Sequence, residues 1–236
     1  MNKSDRDSAS SLPDFRTVVK TDASFRKNCG IFTALCADAR KAVGTAEGLS
    51  GGLLHGLVFE ARNGVAAISG AETLVGLAKR GLVRRDLCND DVRGAVSGLF
   101  AFAANGGVLD EQEYAAREAA FEAAVGGPAP TVFRRLVAAA FPAQTVPVLS
   151  ATVLSALHRV LVTAGRVRPL PADATWLALS RDVHDALRAE WTWPDAPTRG
   201  AYAKWLVAWL AKQEAAGRKQ AGRSADPRGR AVSRSA

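Results

Sequence analysis

The feature that most constrains this sequence is a pair of apolar helical segments joined by a short turn within residues 98–121. The first segment runs into Asn105 and Gly106, two residue types that tolerate the positive φ at which helices commonly end. Asp110 can then cap a new helix, and Glu113 stands three residues later, as in a capping box. The stretch therefore predicts a tight helix-loop-helix hairpin.

Residues 56–72 repeat this arrangement in a less regular form. Asn63 and Gly64 end one helical segment, and Ser69 and Glu72 occupy the cap positions three residues apart. Two similar hairpins in one chain indicate an internal duplication of helix-loop-helix units.

The second hairpin combines an apolar helix, the turn Ala-Asn-Gly-Gly-Val-Leu at residues 104–109 and the helix start Asp-Glu-Gln-Glu at residues 110–113. This combination resembles the helix-loop-helix of the TerB-like family, which are helical domains associated with tellurite resistance and with stress and phage-defence systems. With the earlier copy, the resemblance covers residues 56–125. It implies an interaction module in a bacterial stress-response, defence or plasmid-borne mobile-element system.

The same resemblance implies acidic metal ligands in the hairpin loops, and Asp110 and Glu113 are the positions carried over. The earlier loop, residues 63–69, departs from the family pattern because it contains no carboxylate. A calcium loop needs oxygen ligands at alternating positions, whereas residues 106–109 carry no side-chain oxygen. We therefore expect both residues to serve in helix capping, and we expect no cofactor.

Apolar residues recur at three- and four-residue spacing, and no long stretch alternates with period two, which predicts an all-α, multi-helix bundle built of helix-loop-helix hairpins. All nine Phe precede Pro142 and all five Trp follow Asp173, a change in composition that indicates two subdomains joined near residues 142–147. The predicted organisation is a flexible lead at residues 1–21, a helical domain at 22–141, a Trp-rich three-helix subdomain at 147–211 and a basic disordered tail at 212–236.

The formal net charge of +8 points to a polyanionic partner. Residues 212–236 carry seven Lys or Arg against two acids, a net of +5, and residues 1–20 carry +1, which leaves +2 for residues 21–211. A polar basic tail can follow a nucleic-acid backbone through phosphate contacts. A solubilising terminus is the alternative for the same composition.

The nucleic-acid hypothesis assigns phosphate contacts to arginine clusters in the body and to basic residues of the tail. The candidates are Arg80, Arg84, Arg85, Arg134 and Arg135 in the body, and Arg218, Lys219, Arg223, Arg228, Arg230 and Arg234 in the tail. Trp205 and Trp209 have the helical spacing of core residues, and base stacking is their alternative role.

No sequence pattern assigns a catalytic group. His55, His158 and His184 lie in separate helices without the spacing of zinc ligands. We expect His184 and its neighbour Asp185 to point in different directions on their helix. No Gly-x-Ser-x-Gly elbow, phosphate-binding loop or dinucleotide fingerprint is present. We therefore expect a protein that is not an enzyme.

Two functions follow as hypotheses: a helical adaptor for a partner protein, and a nucleic-acid-binding accessory protein. A metal-binding role is a third. The three cysteines form no Cys-x-x-Cys pair, and the sequence shows neither an apolar leader nor a run of about 18 apolar residues. These features predict a cytoplasmic protein without a membrane segment.

Overall fold

A computed structural model describes residues 12–43 and 89–224, and this part of the chain is α-helical without strands. The all-α prediction is confirmed. The earlier hairpin copy at residues 56–72 lies outside the described residues. The helices are α1 (Phe15–Thr21), α2 (Ala23–Val43), α3 (Asp90–Ala104), α4 (Glu111–Val125), α5 (Pro130–Ala140), α6 (Ala151–Thr163), α7 (Trp176–Glu190) and α8 (Ala196–Ser224).

Side-chain oxygens cap the first turns of six helices, each accepting a hydrogen bond from the backbone N–H three residues later. The caps are Asp22 (2.8 Å), Asn89 (2.7 Å), Asp110 (2.8 Å), Ser150 (3.3 Å), Thr175 (3.0 Å) and Asp195 (2.6 Å). The second hairpin is confirmed. Its first helix ends at Ala104, Gly106 adopts a φ of 80°, and Asp110 starts the next helix.

One hydrophobic core extends through both halves of the described chain. Helix α8 packs antiparallel along α2, with Thr198 beside Cys29 and Trp205 beside Asp22. The join predicted at residues 142–147 lies largely inside this core: Val146 is buried, and its N–H donates to the Ser180 hydroxyl at 2.8 Å. This segment is therefore part of a continuous interior and does not form an exposed linker.

Two terminal boundaries differ from the sequence prediction. Residues 15–21 of the predicted lead form α1, because Phe15 and Val18 share one helix face and are buried against the core. Helix α8 continues to Ser224, into the predicted disordered tail. Residues 212–224 are rich in Ala, Lys, Gln and Arg, which have high helix propensity. In the described ranges, no helix is long and apolar enough to cross a bilayer.

Gly200 and Gly217 provide a matched test of how α8 packs. A Cβ atom at Gly200 would lie 2.9 Å from Cδ of Pro147, whereas a Cβ at Gly217 would meet nothing within 4 Å. We expect Gly200→Ala to lower the free energy of unfolding by about 1–3 kcal/mol, because a proline ring cannot swing aside. Gly217→Ala should leave it unchanged or raise it by up to ~1 kcal/mol. Urea denaturation measures both, and equal effects would contradict the close crossing at Gly200.

Candidate nucleic-acid interface

The acidic residues of the hairpin are engaged in local contacts. The Asp110 carboxylate caps α4 by accepting from the Glu113 N–H. Glu113 does not complete the capping box, because its Oε1 pairs with Nε of Arg117 at 2.6 Å and the Asp110 N–H donates instead to the carbonyl of Val108. The capping role predicted for Asp110 is confirmed, and Glu113 serves as the ion-pair partner of Arg117.

Long-range hydrogen bonds fix the hairpin loop to the rest of the fold. Gln144 accepts from the Leu109 N–H at 3.1 Å and donates to the Gly107 carbonyl at 3.0 Å. The Thr175 hydroxyl donates to Glu111 at 2.6 Å. Within residues 12–43 and 89–224, no three His, Cys, Asp or Glu side chains are grouped so as to hold a metal ion.

The two described histidines are buried and paired with carboxylates. His158 Nε2 lies 2.6 Å from Asp182 Oδ2, and His184 Nδ1 lies 2.9 Å from Asp185 Oδ1. The expectation that His184 and Asp185 point apart is therefore wrong. The guanidinium of Arg199 contacts His184 Nε2, and since a guanidinium can only donate, Nε2 accepts and Nδ1 carries the proton. Each histidine thus has a structural partner.

Helix α5 does not present the predicted pair of exposed arginines. Arg135 is fully buried, and its desolvation lowers the pKa to about 10. The reason is that α5 is central in the fold, with apolar residues buried around most of its circumference. Arg134 is half-buried and donates to the Leu149 carbonyl at 3.1 Å, with its guanidinium 5.8 Å from the centre of the Trp176 ring. Arg135 is removed from the candidate nucleic-acid contacts.

The remaining candidates divide between the described and undescribed parts of the chain. Arg80, Arg84, Arg85, Arg228, Arg230 and Arg234 lie outside the described residues, as does His55. Arg218 is exposed on α8, where it pairs loosely with Glu214 at 3.7 Å. Lys219 and Arg223 belong to the same helix.

An aromatic cluster lies where α1 and the segment after α7 meet α8. Its members are Phe15, Trp191, Trp193, Tyr202, Trp205 and Trp209, with Tyr202 fully buried and the tryptophans partly exposed. The rings of Tyr202 and Trp205 stack at 5.7 Å with planes 24° apart, and those of Trp205 and Trp209 stack at 6.4 Å with planes 19° apart. The cluster thus extends from the core along α8 toward solvent.

Asp22 anchors this cluster at the junction of α1 and α2. Its carboxylate accepts from the Phe25 N–H and, at 2.9 Å, from the Trp205 indole N–H, and these bonds hold the pKa of Asp22 below its ordinary value. The positive charge of Lys212 acts in the same direction. Lys20 and Arg26, both exposed, flank Asp22 along the chain. Two basic side chains therefore lie in the segment that contacts Trp205, and the Arg26 guanidinium also donates to the backbone carbonyls of Val19 and Lys20.

Helix α8 continues beyond this junction, where the side chains that the structure describes are exposed. Helix α2 runs antiparallel to α8 and begins beside Trp205, so α2 does not cover the part of α8 that follows Trp205. Residues 211–218 are all exposed. At a rise of 1.5 Å per residue, residues 212–224 extend for about 20 Å. This stretch contains four basic residues and one acid, a net of +3. We call Trp205, Trp209, Lys20, Arg26 and the exposed part of α8 the α8 surface.

No protein-family model matches this chain, and neither a curated protein nor a solved structure matches it. A functional assignment therefore depends on the site itself. Within the described residues, the α8 surface combines partly exposed aromatic rings with exposed basic side chains.

Sequence reasoning overlooked Lys20 and Arg26. It favoured core packing for Trp205 and Trp209, which are partly buried against the core, and kept base stacking as their alternative role. A usable signal was present, because Trp205, Trp209 and Lys212 follow one another at spacings of four and three residues on one helix face. The contact between Asp22 and Trp205 joins residues 183 positions apart, so no local pattern reveals it.

Proposed function

We propose that this chain is a non-enzymatic helical module that binds nucleic acid through the α8 surface. The observation that carries the proposal is the continuation of α8 past the core: its residues 211–218 are exposed, its residues 212–224 carry a net charge of +3 by sequence, and it begins at partly exposed, stacked tryptophans. Basic side chains on such a helix attract phosphates, and each neutralised phosphate releases counterions. Aromatic rings beside the phosphate path provide a second kind of contact, through the faces of the bases.

A non-catalytic role is supported by the way the ionisable core residues are used. His158 pairs with Asp182 of the neighbouring helix α7, and His184 pairs with Asp185 of its own helix and with Arg199 of α8. Burial raises the pKa of the Cys36 thiol to about 12, which keeps it protonated and a poor nucleophile. Cys29 and Cys36 are free thiols, which supports a reducing, cytoplasmic location as part of this proposal.

A protein adaptor is the second candidate function, and one observation favours it. Val108 is 67% exposed at the tip of the hairpin, although Gln144 and Thr175 hold that loop in place. A rigid apolar tip can dock on a partner protein, as the TerB-like resemblance of the hairpin implies. Since Val108 is not part of the α8 surface, binding of such a partner would survive removal of residues 213–236.

Removal of residues 213–236 tests the nucleic-acid proposal. We expect the truncated protein to bind labelled DNA or RNA at least about tenfold more weakly at low salt, because most of its clustered positive charge is lost. The dependence of affinity on salt concentration should also become shallower, which fluorescence anisotropy at two salt concentrations measures.

A full-length variant separates charge from chain length. Replacing Arg218, Lys219 and Arg223 together by Gln removes three charges while keeping residues of high helix propensity. This variant should reproduce about half of the loss in log affinity seen on truncation, because it removes three of the six basic residues in the deleted segment. Unchanged binding in both variants, or no binding by the intact protein, would rule out the proposed function.

A further inference from the structure

We propose that the nucleic acid held by the α8 surface is single-stranded and that one of its bases stacks on Trp209. This inference rests on the proposed function and specifies the form of its ligand. It applies equally to DNA and RNA, because the contacts concerned are a base face and the phosphate backbone.

The stacking site is the outer end of a ladder of aromatic rings. Tyr202, Trp205 and Trp209 follow at spacings of three and four residues, and their ring planes differ by only 24° and 19° from one step to the next. Tyr202 is fully buried, whereas Trp209 is partly exposed. The last ring of the ladder therefore has exposed surface that a base can contact.

Trp209 differs from three other tryptophans in the contacts that its side chain makes. The indole N–H groups of Trp176, Trp193 and Trp205 donate to Val148, Leu187 and Asp22 respectively, at 2.7–2.9 Å. Trp209 packs against the core and its ring stacks on that of Trp205. Its position depends on the neighbouring ring, and a base can extend the same stack.

The exposed charge next to Trp209 suits the phosphates of the same strand. Lys212 lies one turn further along α8, about 4.5 Å along the helix axis, and is exposed. In a duplex the base faces are covered by neighbouring base pairs. A tryptophan on the surface of an α-helix therefore cannot stack on a base unless the duplex opens. An unpaired strand offers its base faces and its phosphates together. The combination of Trp209 and Lys212 therefore favours a single strand.

The test compares four labelled ligands of about 20 nucleotides, longer than a typical single-strand site. They are oligo-dT, oligo-rU, a DNA duplex, and an abasic strand with the same phosphates and no bases. We expect oligo-dT and oligo-rU to bind the intact protein about tenfold more tightly than the abasic strand, a difference within the range of one base stack. Trp209→Leu should remove this preference, and Trp209→Phe should keep most of it.

The outcomes separate the two proposals. If the intact protein binds none of the four ligands, the proposed function itself fails. If it binds them all equally and Trp209→Leu changes nothing, charge alone holds the nucleic acid and the stacking inference fails. Should Trp209→Leu fail to fold by circular dichroism, the intact protein still decides, since stacking requires stronger quenching of tryptophan fluorescence by oligo-dT than by the abasic strand.

Discussion

Tyr202→Ala is expected to lower the free energy of unfolding by about 3–5 kcal/mol, the usual cost of removing a large buried aromatic ring. Tyr202 is fully buried, and its ring centre lies 5.3–6.0 Å from those of Phe15, Trp191, Trp193 and Trp205. Its removal leaves a cavity lined by rings that belong to three separate segments. Large flat side chains cannot move in to fill such a cavity, so relaxation of the structure does not reduce the loss of unfolding free energy.

Tyr202→Phe is the matched control. It keeps the ring and removes the hydroxyl that donates to the Pro13 carbonyl, so we expect a loss of only about 1 kcal/mol. Urea denaturation followed by tryptophan fluorescence and by far-UV circular dichroism measures both variants. The five tryptophans all lie within residues 176–209, whereas circular dichroism reports on every helix.

The two probes should give coincident transitions, because one core joins the two halves of the described chain. Separate transitions would indicate that the tryptophan-rich part unfolds alone. A cost below about 1 kcal/mol for Tyr202→Ala would contradict the buried position of the ring.

The sequence predicted those parts of the fold that depend on local chemistry. The buried stripe of α2, formed by Phe25, Cys29, Phe32 and Cys36, follows the three- and four-residue apolar spacing from which the helical fold was predicted. The cap at Asp110 was equally predictable, because capping joins residues only three positions apart. Such signals lie within one or two turns of helix and need no knowledge of the neighbouring elements.

The errors arose where burial depends on distant residues. Arg135 looked like a surface residue beside Arg134, yet α5 is surrounded by other helices and Arg135 is fully buried. Phe15 belonged to a polar segment, but it is buried because Trp193 and Tyr202 cover it from the other end of the chain. Neither fact follows from periodicity, since both depend on which helices pack together.

The α8 surface was only partly predictable, because it too depends on contacts between distant residues. The basic composition of residues 212–224 was evident, and helix propensity alone could have extended α8 through them. The surface becomes a candidate site only when Trp205 meets Asp22, which brings Lys20 and Arg26 to the same end of the molecule. That juxtaposition depends on the antiparallel packing of α2 and α8.

The second large effect concerns the buried contact between His184 and Arg199. His184→Leu is expected to lower the free energy of unfolding by about 2–3 kcal/mol, because it deprives a buried guanidinium of its acceptor. Leu occupies a similar volume, so lost packing contributes little. His184→Gln is the control, since its amide oxygen can accept from Arg199, and its cost should be clearly smaller.

The same contact predicts that acid destabilises the protein. Burial lowers the pKa of His184 below its ordinary value of 6.5, and the charges of Arg199 and Arg188 act in the same direction, while Asp185 opposes them. In the unfolded chain this histidine binds a proton near pH 6.5, whereas in the folded protein it stays neutral to lower pH. Unfolding therefore takes up a proton, and stability falls as pH decreases below about 6.5.

The pH profile distinguishes His184 from the carboxylates that also titrate in acid. The contribution of His184 is complete above pH 6.5 and declines below it, ahead of most carboxylates, whose ordinary pKa values lie near 4. Denaturation between pH 7 and pH 5 should show a smaller loss of stability for His184→Gln than for the intact protein, because the variant has no imidazole to protonate. Parallel profiles would mean that the folded and unfolded states protonate this histidine alike. In that case Nε2 of His184 does not accept a hydrogen bond from Arg199 in the folded protein. The contact between α7 and α8 at this point would then be wrong.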